Sequence, residues 1–177
     1  HSKSPQIHAA FAQATAQDLS YVALESPLDG FNATVLGFRG QGGRGVNVTL
    51  PFKLQACALA TDPSEAARLA GAANALRFDG DRVHAQNFDG TGLVNDIQRN
   101  LGHAIRGRRV LILGAGGATR GAILPIAGER PAVLAVANRT ASRAHAQRAG
   151  CSGFIVSPLC LSTNRSLGSD VPYGLRL

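Results

Sequence analysis

The stretch Val110-Leu111-Ile112-Leu113-Gly114-Ala115-Gly116-Gly117-Ala118-Thr119-Arg120-Gly121 decides the fold of this chain. Its first four residues are consecutive apolar residues, which predict a fully buried strand of a parallel sheet. A turn of small residues follows at once, and the apolar run Gly121–Leu124 fits a helix. Strand, Gly-x-Gly turn and helix in this order form the context that a dinucleotide-binding fingerprint requires.

The glycines of this turn have a steric role. Gly114 allows the sharp turn, and Gly116 lets backbone N–H groups come close to a pyrophosphate. The helix N-terminus then places partial positive charge against the phosphates. Thr119 occupies the third glycine position of the fingerprint, so the match is loose. A turn that only reverses the chain is the alternative.

The residues after the next predicted strand, 132–137, indicate which dinucleotide binds. An NAD-preferring site carries Asp or Glu near the end of this strand, where the carboxylate accepts hydrogen bonds from the ribose hydroxyls. Here the chain has Asn138-Arg139-Thr140-Ala141-Ser142-Arg143, which contains no acidic residue. Arg139 and Arg143 suit a 2′-phosphate, which favours NADP over NAD. The alternative is that Thr140 caps the next helix and both arginines are solvated on its surface.

Composition and charge agree with a cofactor-binding second half. The 177 residues suffice for one medium domain or two small ones, and no apolar run reaches the length of about 18 residues typical of a membrane span. The net charge of +7 is uneven, because residues 1–96 carry −2 and residues 97–150 carry +8. This surplus suits a phosphate-bearing ligand. A nucleic-acid partner is disfavoured, since aromatic residues form only 5% of the chain and no recognition module is present.

The three cysteines, Cys57, Cys151 and Cys160, lack the spacing of metal ligands. They therefore predict no metal site and agree with a reducing cytoplasm. The chain has no signal-peptide pattern and no methionine, so we expect a fragment at its N-terminus.

Helices and strands alternate in the first half, which predicts an α/β layer architecture. A polar turn at residues 87–92 is expected to lead into an amphipathic helix that connects the two halves. Ser4 is expected to act as the N-cap of the first helix. Further helices are expected over 27–39, from Pro51 and with a start within residues 62–67. Strands are expected at 20–24, 46–49, 73–78 and 82–85, the last two joined by a tight turn at 79–81.

Six stretches together resemble the shikimate dehydrogenase family, and they occur in the order and at the spacing of that family over about residues 1–150. The resemblance implies an α/β substrate-binding domain at residues 1–90 and a partial Rossmann-like NADP-binding domain at 91–150, which begins with a connecting helix at 91–103. Residues 151–177 form an atypical tail. The six stretches are His1-Ser2-Lys3-Ser4-Pro5, Asn47-Val48-Thr49-Leu50-Pro51-Phe52-Lys53, Gly71-Ala72-Ala73-Asn74-Ala75-Leu76, Asn87-Phe88-Asp89-Gly90, Gly114-Ala115-Gly116-Gly117-Ala118 and Asn138-Arg139-Thr140.

The resemblance implies reversible, NADP-dependent reduction of 3-dehydroshikimate to shikimate in the biosynthesis of chorismate and the aromatic amino acids. Lys53 and Asp89 are then the catalytic residues. Hydride that arrives at a ketone carbon leaves negative charge on the oxygen, which an ammonium group stabilises and protonates. The resemblance further implies substrate contacts for Ser2, Ser4, Thr49 and Asn74, and cofactor contacts for Gly114, Ala115, Gly116, Gly117, Ala118, Asn138, Arg139, Thr140 and Arg143.

Ordinary structural roles stay open for these residues. Ser4 and Asp89 suit helix caps, Lys53 suits a solvated surface and Asn74 suits a strand end. Phe88 stands where the family commonly has threonine, and the tail resembles nothing in the family. The first strand of the family is also missing before His1, so we expect a chain truncated at both ends.

Two other functions remain as alternatives. One is an NAD-dependent quinate/shikimate dehydrogenase, which an acidic residue at position 138 or 139 would favour. The other is a non-catalytic remnant that at most binds NADP. We expect no metal, nucleic-acid or membrane partner, and the sequence leaves a homodimer open.

Overall fold

Two compact units make up the chain in the computed structural model, which describes residues 2–138 and 154–158. The first unit comprises His1–Ser64 and Ala72–Gln86, and the second comprises Glu65–Gly71 and Asn87–Leu177. Asp89 therefore lies in the second unit. The assignment of functional domains to residues 1–90 and 91–150 stays a prediction.

A four-stranded sheet forms the centre of the first unit. Its strands are β1 (Gly45–Asn47), β2 (Asp62–Pro63), β3 (Ala75–Asp79) and β4 (Arg82–Gln86), in the order β1-β3-β4-β2. Strands β3 and β4 pair antiparallel, and Gly80 in the turn between them has a φ of +52°, a conformation that favours glycine. The hairpin predicted here is confirmed. The helix start predicted within residues 62–67 is confirmed, because a helix begins at Glu65; Asp62 and Pro63 before it pair with β4 in parallel.

Three helices belong to the first unit: α1 (Ser4–Ala14), α2 (Phe31–Gly40) and α3 (Lys53–Leu59). Helix α1 starts one residue earlier than predicted, because Ser4 is itself helical and Lys3 precedes the helix without a side-chain cap. The N-cap role predicted for Ser4 is therefore wrong.

The strand predicted at residues 20–24 is also wrong. This segment lies outside regular secondary structure, and no strand in the described part of the chain pairs with it. Its side chains Val22 and Leu24 are exposed. A strand needs a hydrogen-bonded neighbour for stability, which apolar sequence alone does not supply.

Parallel strands form the sheet of the second unit. They are β5 (Arg109–Leu113), β6 (Val133–Asn138) and β7 (Phe154–Pro158), in that order. The two strands predicted at 110–113 and 132–137 are confirmed. Full burial of the first of them is wrong, because Leu111 is 55% and Leu113 71% exposed. Only the opposite face of β5 packs against the hydrophobic core.

Among the described residues, the helices of the second unit are α4 (Glu65–Ala70), α5 (Asp89–Asn95) and α6 (Gly117–Gly128). A π-helical segment, Asp96–Asn100, continues α5. The polar turn predicted at residues 87–92 is shorter than expected, because α5 already begins at Asp89. No helix among the described residues is long and apolar enough to cross a membrane. The core of the unit contains Val94, Ile105, Ile123, Ile126, Leu134 and Val136.

Candidate active site

The glycine turn between β5 and α6 has the conformation that its sequence predicts. Gly114 has a φ of +105°, in the region that favours glycine, and its N–H donates to the carbonyl oxygen of Ala137 on β6 at 2.7 Å. The Thr119 hydroxyl donates to the carbonyl oxygen of Gly114 at 2.9 Å. Threonine at the third fingerprint position therefore stabilises the turn from inside, which accounts for the departure from glycine.

Open space surrounds the backbone of this turn. A Cβ atom built on Gly114, Gly116 or Gly117 would meet no heavy atom within 4 Å. Because α6 starts at Gly117, its first N–H groups have no acceptor within the helix, and they belong to this accessible turn. The turn thus fits the phosphate groups of a dinucleotide, which bind where a helix N-terminus and a close backbone approach coincide.

Asn138, at the end of β6, fixes the turn. Its side-chain Oδ1 accepts a hydrogen bond from the backbone N–H of Ala115 at 3.2 Å. The amide thus connects the turn to the end of the neighbouring strand, a contact that the sequence did not predict. Three further positions predicted to bind the cofactor lie outside the described residues: Arg139, Thr140 and Arg143.

Asp89 is the first residue of α5 and is half-buried. The N-cap position is Phe88, and Asp89 already lies inside the helix, so the capping role considered for Asp89 is wrong. Its backbone N–H instead donates to Oδ1 of Asn87 at 3.1 Å, and Asn87 is only 5% exposed. Phe88, between these two residues, is 54% exposed. A buried amide therefore holds the backbone that carries the Asp89 carboxylate.

Backbone hydrogen bonds bring two of the sequence motifs together in the first unit. The N–H of Val48 donates to the carbonyl oxygen of Asn74 at 2.8 Å, and the N–H of Ala73 donates to that of Lys53 at 2.8 Å. Thr49 is exposed, whereas Lys53 and Asn74 are half-buried. Three predicted substrate-site residues thus belong to one hydrogen-bonded part of the fold.

Asn47 is a polar residue of this region that the sequence analysis did not select. Its Oδ1 accepts a hydrogen bond from the Tyr21 hydroxyl at 3.1 Å. Asn47 and Thr49 are both exposed around buried Val48, the alternation of an extended chain. Both line a cavity of about 260 Å³ together with Phe31 of α2. The alternation of polar and apolar residues over positions 47–49 is the sequence signal that would have identified Asn47.

Ser2 and Ser4 lie next to each other at the start of α1. The Ser2 hydroxyl donates to the Ser4 hydroxyl at 3.0 Å and accepts from the backbone N–H of Ser4 at 3.2 Å. The two hydroxyl groups thus lie within hydrogen-bond distance of each other, and their contact with a substrate stays a prediction.

Two predicted catalytic residues belong to different units, Lys53 to the first and Asp89 to the second. Their action on one substrate stays a prediction. Among the described residues, no group of three or more His, Cys, Asp or Glu side chains is arranged to hold a metal ion.

The parallel strands and the glycine turn between β5 and α6 give the second unit a Rossmann-like fold. Residues 1–76 match the model of the shikimate dehydrogenase substrate binding domain. The chain is 58% identical over 144 residues to the shikimate dehydrogenase (NADP(+)) of Herminiimonas arsenicoxydans. The aligned region covers 81% of this chain and 53% of the relative. The corresponding protein of Janthinobacterium sp. (strain Marseille) is 57% identical with the same coverage. The chain belongs to the shikimate dehydrogenase family, and it spans about half the length of these relatives.

Solved structures share this fold. The Ael1 enzyme from Pseudomonas putida superimposes with a TM-score of 0.86 at 53% identity, over 89% of this chain and 59% of that chain. Shikimate 5-dehydrogenase from Thermus thermophilus, in complex with NADP(H) and shikimate, gives a TM-score of 0.78 at 31% identity, over 89% and 59%. The predicted fold class, an α/β substrate-binding part followed by a Rossmann-like part, is confirmed.

Proposed function

We propose that this chain carries the activity of an NADP-dependent shikimate dehydrogenase, which reversibly reduces 3-dehydroshikimate to shikimate in the cytoplasm during aromatic amino acid biosynthesis. The observation that carries the proposal is the hydrogen-bonded association of two distant motifs, through Val48 with Asn74 and Lys53 with Ala73. These backbone contacts join the segments that carry Thr49, Lys53 and Asn74, whose side chains suit a hydroxylated carboxylic acid. The names of the relatives support the same activity.

The predicted chemistry uses Lys53 and Asp89. NADPH, when bound, supplies hydride to the ketone carbon of 3-dehydroshikimate. The Lys53 ammonium stabilises the charge that develops on the ketone oxygen and donates the proton that completes the alcohol. The Asp89 carboxylate would accept a hydrogen bond from a substrate hydroxyl. In the reverse direction Lys53 accepts the proton of the shikimate hydroxyl.

Four residues would bind the rest of the substrate. The adjacent hydroxyls of Ser2 and Ser4 suit the substrate carboxylate, because both can donate to its two oxygens once they exchange their mutual contact for the anion. Thr49 and Asn74 would contact the ring hydroxyls. Each of these contacts favours a small polyhydroxylated acid over an apolar ketone.

NADP is the cofactor that fits the second unit. Its pyrophosphate would lie at Gly114, Ala115, Gly116, Gly117 and Ala118, where a Cβ atom on any of the three glycines would meet no heavy atom within 4 Å. The 2′-phosphate would lie beyond Asn138, against the arginines at positions 139 and 143 and the threonine at 140. The relatives named for NADP(+) and the NADP(H)-bound structure from Thermus thermophilus support this choice.

Binding and turnover measurements on the 177-residue chain test the proposal. Calorimetric titration with NADP⁺ and with shikimate gives both affinities, and absorbance of NADPH gives turnover. NADPH formation supports the dehydrogenase. NADP⁺ binding without turnover supports the non-catalytic alternative, and equal rates with NAD⁺ contradict the preference for NADP.

A further inference from the structure

Helices α5 and α6 of the second unit approach each other so closely that only glycine fits at the contact. A Cβ atom on Gly90 would collide with the carbonyl oxygen of Gly121 and would stand 2.7 Å from Pro125 Cγ and 2.9 Å from Ala122 Cα. Pro125 has no N–H group, so α6 offers the Gly121 carbonyl no donor from the residue four positions on. A Cα hydrogen of Gly90 faces that oxygen instead.

The side chain of Asn87 fills the space beside this contact. A Cβ atom built on Gly121 would lie 3.0 Å from Asn87 Oδ1 and 3.2 Å from Asn87 Nδ2. These separations are shorter than ordinary carbon contacts, so a methyl group at this position would displace the amide. Because Asn87 is buried, its side chain has little room to move away.

The same Asn87 oxygen that borders Gly121 holds the backbone of Asp89, through the hydrogen bond of 3.1 Å from the Asp89 N–H. We propose that Gly121 is a positioning residue that acts through Asn87 to fix the start of α5 and the Asp89 carboxylate. Helix α6 presents the glycine turn at its own N-terminus, four residues before Gly121. One helix therefore sets the location of the pyrophosphate site and of the carboxylate together. The functional meaning of this coupling rests on the proposed role of Asp89 in catalysis.

Gly121→Ala tests the inference, with Gly92→Ala as the matched control. Gly92 lies in α5 near Asp89, but a Cβ atom there would meet nothing within 4 Å. The measurements on the 177-residue chain are the amide chemical shift and hydrogen exchange of Asp89, followed by calorimetric titration with shikimate and with NADP⁺. Gly121→Ala should shift the Asp89 amide resonance, accelerate its exchange and weaken shikimate binding by about tenfold, the effect of one lost hydrogen bond. NADP⁺ affinity should stay within about twofold, and Gly92→Ala should neither accelerate the exchange of the Asp89 amide nor weaken shikimate binding.

Asn87→Ala gives a second, independent test, because it adds no atoms and removes the acceptor. It should reproduce the change at the Asp89 amide, and Gly121→Ala introduced into this background should add no further change. Recovery of folding in the double variant, if Gly121→Ala alone does not fold, supports the same route through Asn87.

An unchanged Asp89 amide in Gly121→Ala, or additive effects in the double variant, would overturn the positioning role. An equal response to Gly92→Ala would do the same. Failure of the unsubstituted chain to bind shikimate contradicts the proposed function instead, and the Asp89 resonances still decide whether Gly121 acts through Asn87.

Discussion

Substitution of Gly90 by alanine should destabilise the second unit, although alanine is the better helix former. The built Cβ atom collides with backbone of α6 and lies 2.7 Å from Pro125 Cγ, so α5 and α6 have to separate. Overpacking of this kind costs about 1–3 kcal/mol in the free energy of unfolding. The gain in helix propensity offsets about 1 kcal/mol of that cost.

Gly92→Ala provides the reference for this measurement. It lies in the same helix, gains the same propensity and adds its methyl group to open space, so it should stabilise the chain by up to about 1 kcal/mol. Urea unfolding followed by circular dichroism gives both free energies, and Gly90→Ala should lie about 1–3 kcal/mol below Gly92→Ala. Equal midpoints for the two variants would refute the close approach of α5 and α6.

Three further perturbations test separate features. Arg139→Asp should weaken NADP⁺ binding by at least about tenfold more than NAD⁺ binding, because a carboxylate repels the 2′-phosphate. Equal losses for the two cofactors in calorimetric titrations would contradict the binding of the 2′-phosphate by Arg139. Tyr21→Phe keeps the ring but removes the hydroxyl that donates to Asn47, so the free energy of unfolding in urea should fall by about 0.5–1.5 kcal/mol, and an unchanged value would mean that this bond does not stabilise the first unit. Burial raises the pKa of the Cys57 thiol, so iodoacetamide at neutral pH should alkylate it more slowly in the folded than in the unfolded chain. The rate, followed by mass spectrometry, should increase as the pH rises. Equal rates in the folded and unfolded chains would contradict the effect of burial.

The sequence predicted those parts of the fold whose signals are local. The strand from Val110 and the glycine turn after it combine an apolar run with residues of special backbone freedom, and both are found as predicted. The hairpin around Gly80 was predictable for the same reason. In each case the residues that determine the structure lie within a few positions of it in the sequence.

Features that depend on distant partners were not predictable in this way. The apolar segment at residues 20–24 reads as a strand but has no paired neighbour among the described residues. The exposure of Leu111 and Leu113 depends on which helices pack on each face of the sheet. Local polarity likewise indicated a turn at residues 87–92. In the structure α5 already begins at Asp89, and its Gly90 packs against α6.

The candidate site divides along the same line. Family motifs identified Thr49, Lys53 and Asn74, and the structure joins the segments that carry them through backbone hydrogen bonds. The motifs gave no reason for Asn138 to hold the glycine turn or for Asn87 to hold Asp89, since both contacts arise between side chains and backbone that the fold brings together. Sequence patterns therefore identified the candidate site residues, and the structure identified the residues that hydrogen-bond to the backbone beside them.

The most direct test of the proposed dehydrogenase is NADPH formation from shikimate and NADP⁺, measured for this chain and for its Lys53→Ala variant. The account predicts turnover by the unsubstituted chain and a loss of at least about 10²-fold in the variant, because the proton donor and acceptor is removed, with shikimate binding still measurable by calorimetry. Undiminished turnover in Lys53→Ala, or no NADPH formation by either protein, would contradict it.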